Sequence, residues 1–321
     1  MEEAFFGMAP RVVVVGSFNA GLTFKSKRLP ARGESILGDY RVGEGGKGSN
    51  QAVQSARLGV NSYMVGCVGR DHYGEMALNL WRREGVDYSR VRVCDEEHTG
   101  VAAILVDENG DNMIVIDPGA NYLLSSKDVD EARDVILSAD VLLTVLEIPV
   151  ETAVHSCKVA KEGGVITIFN PAPAQPLPSD AFKYIDVITP NETELKALLG
   201  LPPEEHFRVG ELASKLVRKG VGRVVVTLGK EGGYVHDDKR GYAFPAFKVN
   251  TIDPTGAGDA FNGALAVALA EGKEFEEALK FAAATGALAV TKLEVIPALP
   301  YRKDVEQFLR RRGEEWKTTV D

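Results

Sequence analysis

Residues 11–15 read RVVVV, residues 43–58 read GEGGKGSNQAVQSARL, and residues 62–68 read SYMVGCV. The first and third runs are short and rich in β-branched or apolar residues, which predicts strands. The second ends in an amphipathic stretch, so a helix is expected over Gly48 to Leu58, with another over Gly74 to Glu84. The rhythm returns in the middle of the chain. Strands are expected at Val141 to Leu146, Val165 to Asn170, Val187 to Pro190 and Arg223 to Thr227, with helices at Val150 to Glu162, Thr193 to Leu199 and Gly210 to Lys219 between them. Such alternation predicts an α/β fold with a mostly parallel central sheet covered by helices on both faces. Sheets of that kind place their ligands in the loops after the strands.

Two stretches break the pattern. Leu22 to Val42 and Thr99 to Ile116 carry strand-like residues and turn formers, Asp107 to Asp111 among them, without an intervening helix. Each predicts an antiparallel excursion from the main sheet, and together they predict a small β lid over about 20–43 and 98–117 within a single domain spanning 1–321. Pro171 to Pro178 reads as a stiff loop after a strand, and the charged tail after Arg310 as a frayed helix end.

Composition narrows the class of partner. The 321 residues carry a net charge of −9, with 45% hydrophobic and 26% charged positions, which fits a soluble globular protein and argues against nucleic acid or an anionic membrane as partner. Any anion must be caught locally. Cys67, Cys94 and Cys157 form no Cys-x-x-Cys pair, and the N-terminus offers no leader, so a reducing, cytoplasmic location is expected.

The chemistry concentrates in Asp253 to Gly263, DPTGAGDAFNG, ahead of a helix expected over Ala264 to Ala270. Small residues bare the backbone N–H groups, and a helix start adds unpaired donors and a positive dipole end, a natural seat for phosphate. Asp259 would face the same cavity. A carboxylate beside a phosphate is unfavourable unless it is there to take a proton. An isolated aspartate at a helix start is an ordinary N-cap, but three glycines within eight residues give this loop a second purpose. Neither phosphate-loop template fits: Gly46 and Lys47 are followed by Gly48 rather than Ser or Thr, and the first strand leads into Gly16, Ser17, Phe18 and Asn19. In the second constellation, Gly43 to Gln51, glycines let backbone approach a ligand and Asn50 can both donate to and accept from hydroxyls. That suits a polyol as well as it suits a capped turn.

Together, the segment GGKGSNQA (Gly45 to Ala52) and the segment DPTGAGDAFNG (Asp253 to Gly263) resemble the two signatures of the ribokinase family of carbohydrate kinases. The resemblance continues through Asp117 to Asn121, Leu146 to Pro149, Asn170 to Ala174, Thr189 to Glu194 and Thr227 to Gly229, in order, from about Val12 to Pro300. It implies ATP-dependent phosphorylation of a hydroxyl of a small sugar, ribose or a related pentose, with Asp259 as general base and Gly256, Ala257 and Gly258 as its anion hole. It further implies sugar contacts at Asn19, Gly21, Gly46, Lys47, Asn50 and Glu147, and nucleotide contacts at Asn191, Thr227, Gly229, Gly232 and Gly258. Magnesium would be held through water by Glu194, potassium at Asp253 and Thr255, and the molecule would pair into a homodimer through the lid.

Two positions depart from that pattern. Where ribokinases carry an acidic residue two places after the asparagine, this chain has Gly21, so ribose loses an acceptor for its hydroxyls. Where the family often has glycine in the cation loop, this chain has Glu294, which puts the backbone path of that loop in question. Kinases of nucleosides, fructose-type sugars or inositol are the alternatives within the family. A sugar- or nucleotide-responsive regulator without catalysis is the alternative outside it.

Overall fold

The computed structural model describes residues 9–202 and 204–320; residues 1–8, on which the expectation about a leader falls, lie outside the described residues. The strands are β1 (Arg11–Val15), β2 (Asn19–Lys25), β3 (Asp39–Gly45), β4 (Asn61–Gly69), β5 (Asp87–Cys94), β6 (Val101–Val106), β7 (Asn112–Asp117), β8 (Val141–Val145), β9 (Ile166–Asn170), β10 (Val187–Ile188), β11 (Arg223–Thr227), β12 (Gly233–His236), β13 (Gly241–Phe244) and β14 (Thr319–Val320).

Ten of them form one sheet in the order β14-β13-β12-β11-β10-β9-β8-β1-β4-β5. From β5 to β11 every pair is parallel, and β12 to β14 continue antiparallel at one edge. Strand β1 shows why both faces must be covered. Val12 to Val15 are fully buried, but Val12 and Val14 join a core with Trp81, Phe261 and Leu265, while Val13 and Val15 join one with Ile136, Phe169 and Leu195. Alternating side chains thus feed two separate cores, one on each face.

The two irregular stretches build a second sheet in the order β3-β2-β6-β7. Each is an antiparallel hairpin as expected, and β2 joins the two by running parallel to β6. Asn19 and Gly21 share one face of β2, and β2 pairs Gly21 with Gly43 on β3 and with Ala102 on β6.

Two helix starts and the tail differ from the sequence reading. The helix placed at Ala264 to Ala270 begins at Ala257, because Gly256 at φ 79° supplies the left-handed turn that starts it. Asp259 therefore lies inside the first helical turn and not in a loop before it. The helix after Gly46 likewise starts at Lys47. Beyond Arg310 the chain is not merely a fraying end: helix Arg302–Arg312 is followed by β14, which pairs with β13. Among the described residues no helix is long and apolar enough to cross a membrane. All three cysteines are free and buried, and burial pushes the Cys67 and Cys157 thiols up to about 12.

Candidate active site

Helices Lys47–Arg57 and Ala257–Ala270 bring their N-terminal turns together, and this junction assembles the site. Asp259 is 6% exposed. Its Oδ2 accepts a hydrogen bond from Asn50 Nδ2 at 2.8 Å and its Oδ1 accepts one from Gln51 Nε2 at 3.1 Å. Gly256, Ala257, Gly258 and Asp259 line a cleft of about 750 Å³, within the range of small-molecule sites. The first-turn N–H groups of a helix have no acceptor within it, so this wall of the cleft is rich in donors.

The cleft is also lined by Asn191, Glu194, Thr227, Gly229 and Gly232, by the apolar Phe247, Ala283, Ala287 and Val290, and by Lys47, on whose ammonium the charge of Asp259 acts. All of the expected nucleotide-side residues are thus on one surface. Asn191 caps helix Glu192–Leu198 in a reciprocal box: its side chain accepts from Glu194 N, and Glu194 Oε2 accepts from Asn191 N, both at 2.8 Å. Burial pushes the Glu194 carboxyl above its ordinary range despite this hydrogen bond and the charge of Lys47.

Asn19, Gly21, Gly46, Asn50 and Glu147 are not part of that cleft wall. Glu147 is buried, and its Oε2 accepts from Ser17 Oγ, from Asn19 Nδ2 at 3.1 Å and from Lys47 N at 2.8 Å. Asn19 Oδ1 in turn accepts from Asn121 Nδ2 at 2.9 Å. Gly46, with φ 91°, permits this packing: a Cβ there would lie 2.6 Å from Asn19 N. Burial raises the Glu147 carboxyl, against the pull of Lys47 and its donors. For Lys47 burial acts downward, but the charges of Asp259, Glu147 and Glu194 outweigh it and hold the ammonium above its ordinary value.

Asp253 lies to one side, where its Oδ1 accepts from Thr255 N at 2.9 Å and its Oδ2 from Glu294 N at 3.3 Å. Glu294 answers the question posed by its departure from glycine. It takes φ 65° and ψ 152°, so the loop keeps a glycine-like path with a glutamate in it. Its carboxylate reaches Arg41 on β3 at 3.7 Å.

Sequence reasoning passed over Ser17, Gln51, Asn121 and Asn170, the residues that hold Asp259, Asn19 and Glu147 in place. Gln51 and Asn170 stand inside quoted motifs, but only the folded contacts disclose their work.

A family model described as pfkB family carbohydrate kinase matches residues 9–302. A ribokinase of Haemophilus influenzae is 37% identical over 303 residues, covering 94% of this chain and 99% of that protein. The crystal structure of ribokinase from Thermotoga maritima superposes with a TM-score of 0.87 at 38% identity over 94% of this chain and 99% of that one. Arabidopsis thaliana ribokinase complexed with ribose and ATP gives the same TM-score at 35% identity, with the same coverage of both chains.

A non-glycine residue in the conformation of Glu294 costs about 1–3 kcal/mol, while its exposed ion pair returns at most about 1 kcal/mol. Glycine also loses roughly 0.4–1 kcal/mol through the unfolded chain. Glu294→Gly is therefore expected to stabilise by about 1 kcal/mol and to raise Tm by about 2 °C in a calorimetric scan. An unchanged or lower Tm contradicts the strain.

Proposed function

The chain belongs to the pfkB family of carbohydrate kinases and is an ATP-dependent sugar kinase, and we propose that Asp259 is the base that deprotonates the accepting hydroxyl. The observation that carries this is the placing of one buried carboxylate in the first turn of helix Ala257–Ala270, on a cleft that Gly256 to Gly258 and Lys47 also line. In this reading ATP occupies the cleft with its base against the apolar Phe247, Ala283, Ala287 and Val290 and its phosphates toward Gly256. The sugar lies on the other side of Asp259, under the small sheet, against Asn19, Gly21, Gly46, Lys47, Asn50 and Glu147.

As the hydroxyl attacks, its proton passes to Asp259. The charge spreading over the transferred phosphoryl oxygens meets the amides of Gly256, Ala257 and Gly258 and the ammonium of Lys47. Glu194 has one carboxylate oxygen on Asn191 N, which leaves the other for a magnesium-bound water, and Asn191 stands beside it. A magnesium ion held there through water by Glu194 would supply positive charge to offset that of the phosphates. Full activity without any divalent metal would remove it from this reading. The oxygens of Asp253 and the backbone about Thr255 would be the groups to hold potassium.

We also assign dimer formation to the small sheet. Phe24, Tyr40, Val42, Met113 and Val115 are exposed on it, and β7 is exposed along its whole length, an edge that calls for a partner. Sedimentation as a monomer at micromolar concentration contradicts this.

Asp259→Asn is expected to lower kcat about a hundredfold or more with nucleotide affinity nearly unchanged, since the amide keeps the shape but takes no proton. A loss of less than tenfold in a coupled ADP assay rejects the base.

The acceptor is a pentose or related sugar carrying a group into the room beside Gly21, so plain ribose is a poor substrate. A Cβ at Gly21 would meet only Gly43 O at 3.7 Å and Ile104 Cδ1 at 3.8 Å, ordinary contacts on an unstrained backbone. Gly21→Asp should therefore fold normally and gain on ribose. One charged hydrogen bond is worth about 1.5–3 kcal/mol, roughly ten- to a hundredfold in kcat/KM. A wild-type protein that already prefers ribose over larger sugars, polyols and nucleosides overturns this reading.

A further inference from the structure

We propose that Gln51 is the positioning residue for Asp259, fixing the plane of its carboxylate from the sugar side of the site and tying it to the strand that ends on the nucleotide side; the proposal rests on Asp259 being the base. Gln51 is fully buried in helix Lys47–Arg57. Its Nε2 carries two hydrogens, and both are used: one reaches Asp259 Oδ1 at 3.1 Å, the other Asn170 Oδ1 at 3.0 Å.

The orientation of this amide follows from its neighbours. Asn170 gives its own Nδ2 to Thr189 O at 3.3 Å, so its Oδ1 is the atom turned toward Gln51. Asp259 offers only acceptors when ionised. Gln51 must therefore present its nitrogen to both, and its Oε1 is left buried without a hydrogen-bond partner. That oxygen is closed off from the cleft, so Gln51 acts on the reaction through Asp259 and touches neither substrate.

The consequence for a base is geometric. A carboxylate held at one oxygen only can still swing about its last torsion; Asn50 on Oδ2 and Gln51 on Oδ1 grip both oxygens and leave each a lone pair. The lone pair that receives the hydroxyl proton is thereby aimed before the sugar arrives, and a small misplacement of a reacting group costs heavily in rate. Asn170 and Thr189 line the nucleotide cleft, so the same amide sets the base relative to the phosphate side.

The test uses the whole chain with two substitutions at Gln51, one of them also combined with Asp259→Asn. Gln51→Met keeps the volume and removes the donor; its kcat should fall tenfold or more, with KM for sugar and for ATP within twofold of wild type, and the acid limb of its kcat profile should move to higher pH. Gln51→Glu keeps the shape but sets a second carboxylate against Asp259. Its activity relative to wild type should rise as the pH is lowered and a proton restores a donor. In the Asp259→Asn background, Gln51→Met should lower kcat no further. A Gln51→Met enzyme with kcat within twofold and an unmoved profile overturns the proposal. So does a loss confined to KM, or a loss that persists undiminished in the Asp259→Asn background. If Gln51→Met does not fold, the pH dependence of Gln51→Glu decides, and a pH-independent loss there also overturns it. Failure of the base itself is told apart by Asp259→Asn alone, whose kcat would then stay within tenfold of wild type.

Discussion

Everything at the centre of this molecule depends on how closely two helices cross. At Gly263 a Cβ would stand 2.8 Å from Gln54 Cβ and 3.0 Å from Gln51 O, so helix Ala257–Ala270 rests almost directly on helix Lys47–Arg57. Amide side chains have a fixed reach. Only at this separation can Asn50 and Gln51, in the first turns of one helix, hold Asp259, in the first turn of the other. The crossing also fixes where the positive ends of both helices point, since residues near both N-termini meet there. The first-turn amides of helix Lys47–Arg57 are already engaged, Lys47 N on Glu147 and Gly48 N on Ser17 Oγ, so that end holds Glu147 in place while the start of helix Ala257–Ala270 faces the cleft.

That convergence creates an electrostatic problem, which Lys47 addresses. Asp259, Glu147 and Glu194 all act on its ammonium, and none of them has an arginine as its hydrogen-bond partner. Glu147 is instead held by a hydroxyl, a side-chain amide and a backbone N–H, neutral donors that fix its direction without cancelling its charge. A site whose carboxylates were each matched by a cation would have little left with which to bind hydroxyl groups or metal-bound water. Here one ammonium faces three carboxyl groups, and burial pushes two of them, Glu147 and Glu194, above their ordinary range.

The architecture was legible in the sequence because it follows from local pattern. The strands Arg11–Val15 and Arg223–Thr227 and the helix Val150–Glu162 coincide with their periodic runs, and the hairpins announce themselves by turn residues between strand-like stretches. The start of the helix at Ala257 was not, since a run of glycine, alanine and aspartate lacks helical periodicity and its helicity comes from burial against Lys47–Arg57. The candidate site was legible as motifs, and the motif residues do gather. Their supports were not, because Gln51 meets Asn170 and Asp259 across 119 and 208 positions of chain, distances that no local pattern encodes. Glu294 is the instructive case: sequence showed the loss of a glycine, and only the fold shows that the glutamate takes a positive φ of 65°.

The cost of such a site falls on stability, in a direction the charges dictate. Glu147 and Glu194 have folded-state pKa values raised above the ordinary carboxyl value, so the folded protein holds their protons more tightly than the unfolded chain does. Stability from this source is present at pH below the ordinary value and is lost as the pH rises through the raised ones, so at neutral pH both groups weigh against folding. Lys47 acts the other way. Its raised pKa contributes stability throughout the range below its unfolded value and loses it only in strong alkali, as the pH rises through the folded one. The lysine and the two glutamates are thus opposed in sign at the pH where the enzyme works, and the lysine is what makes the burial of the others tolerable. Removing it would leave three carboxyl groups close together with only neutral donors, and so Lys47 carries much of the electrostatic burden of this site.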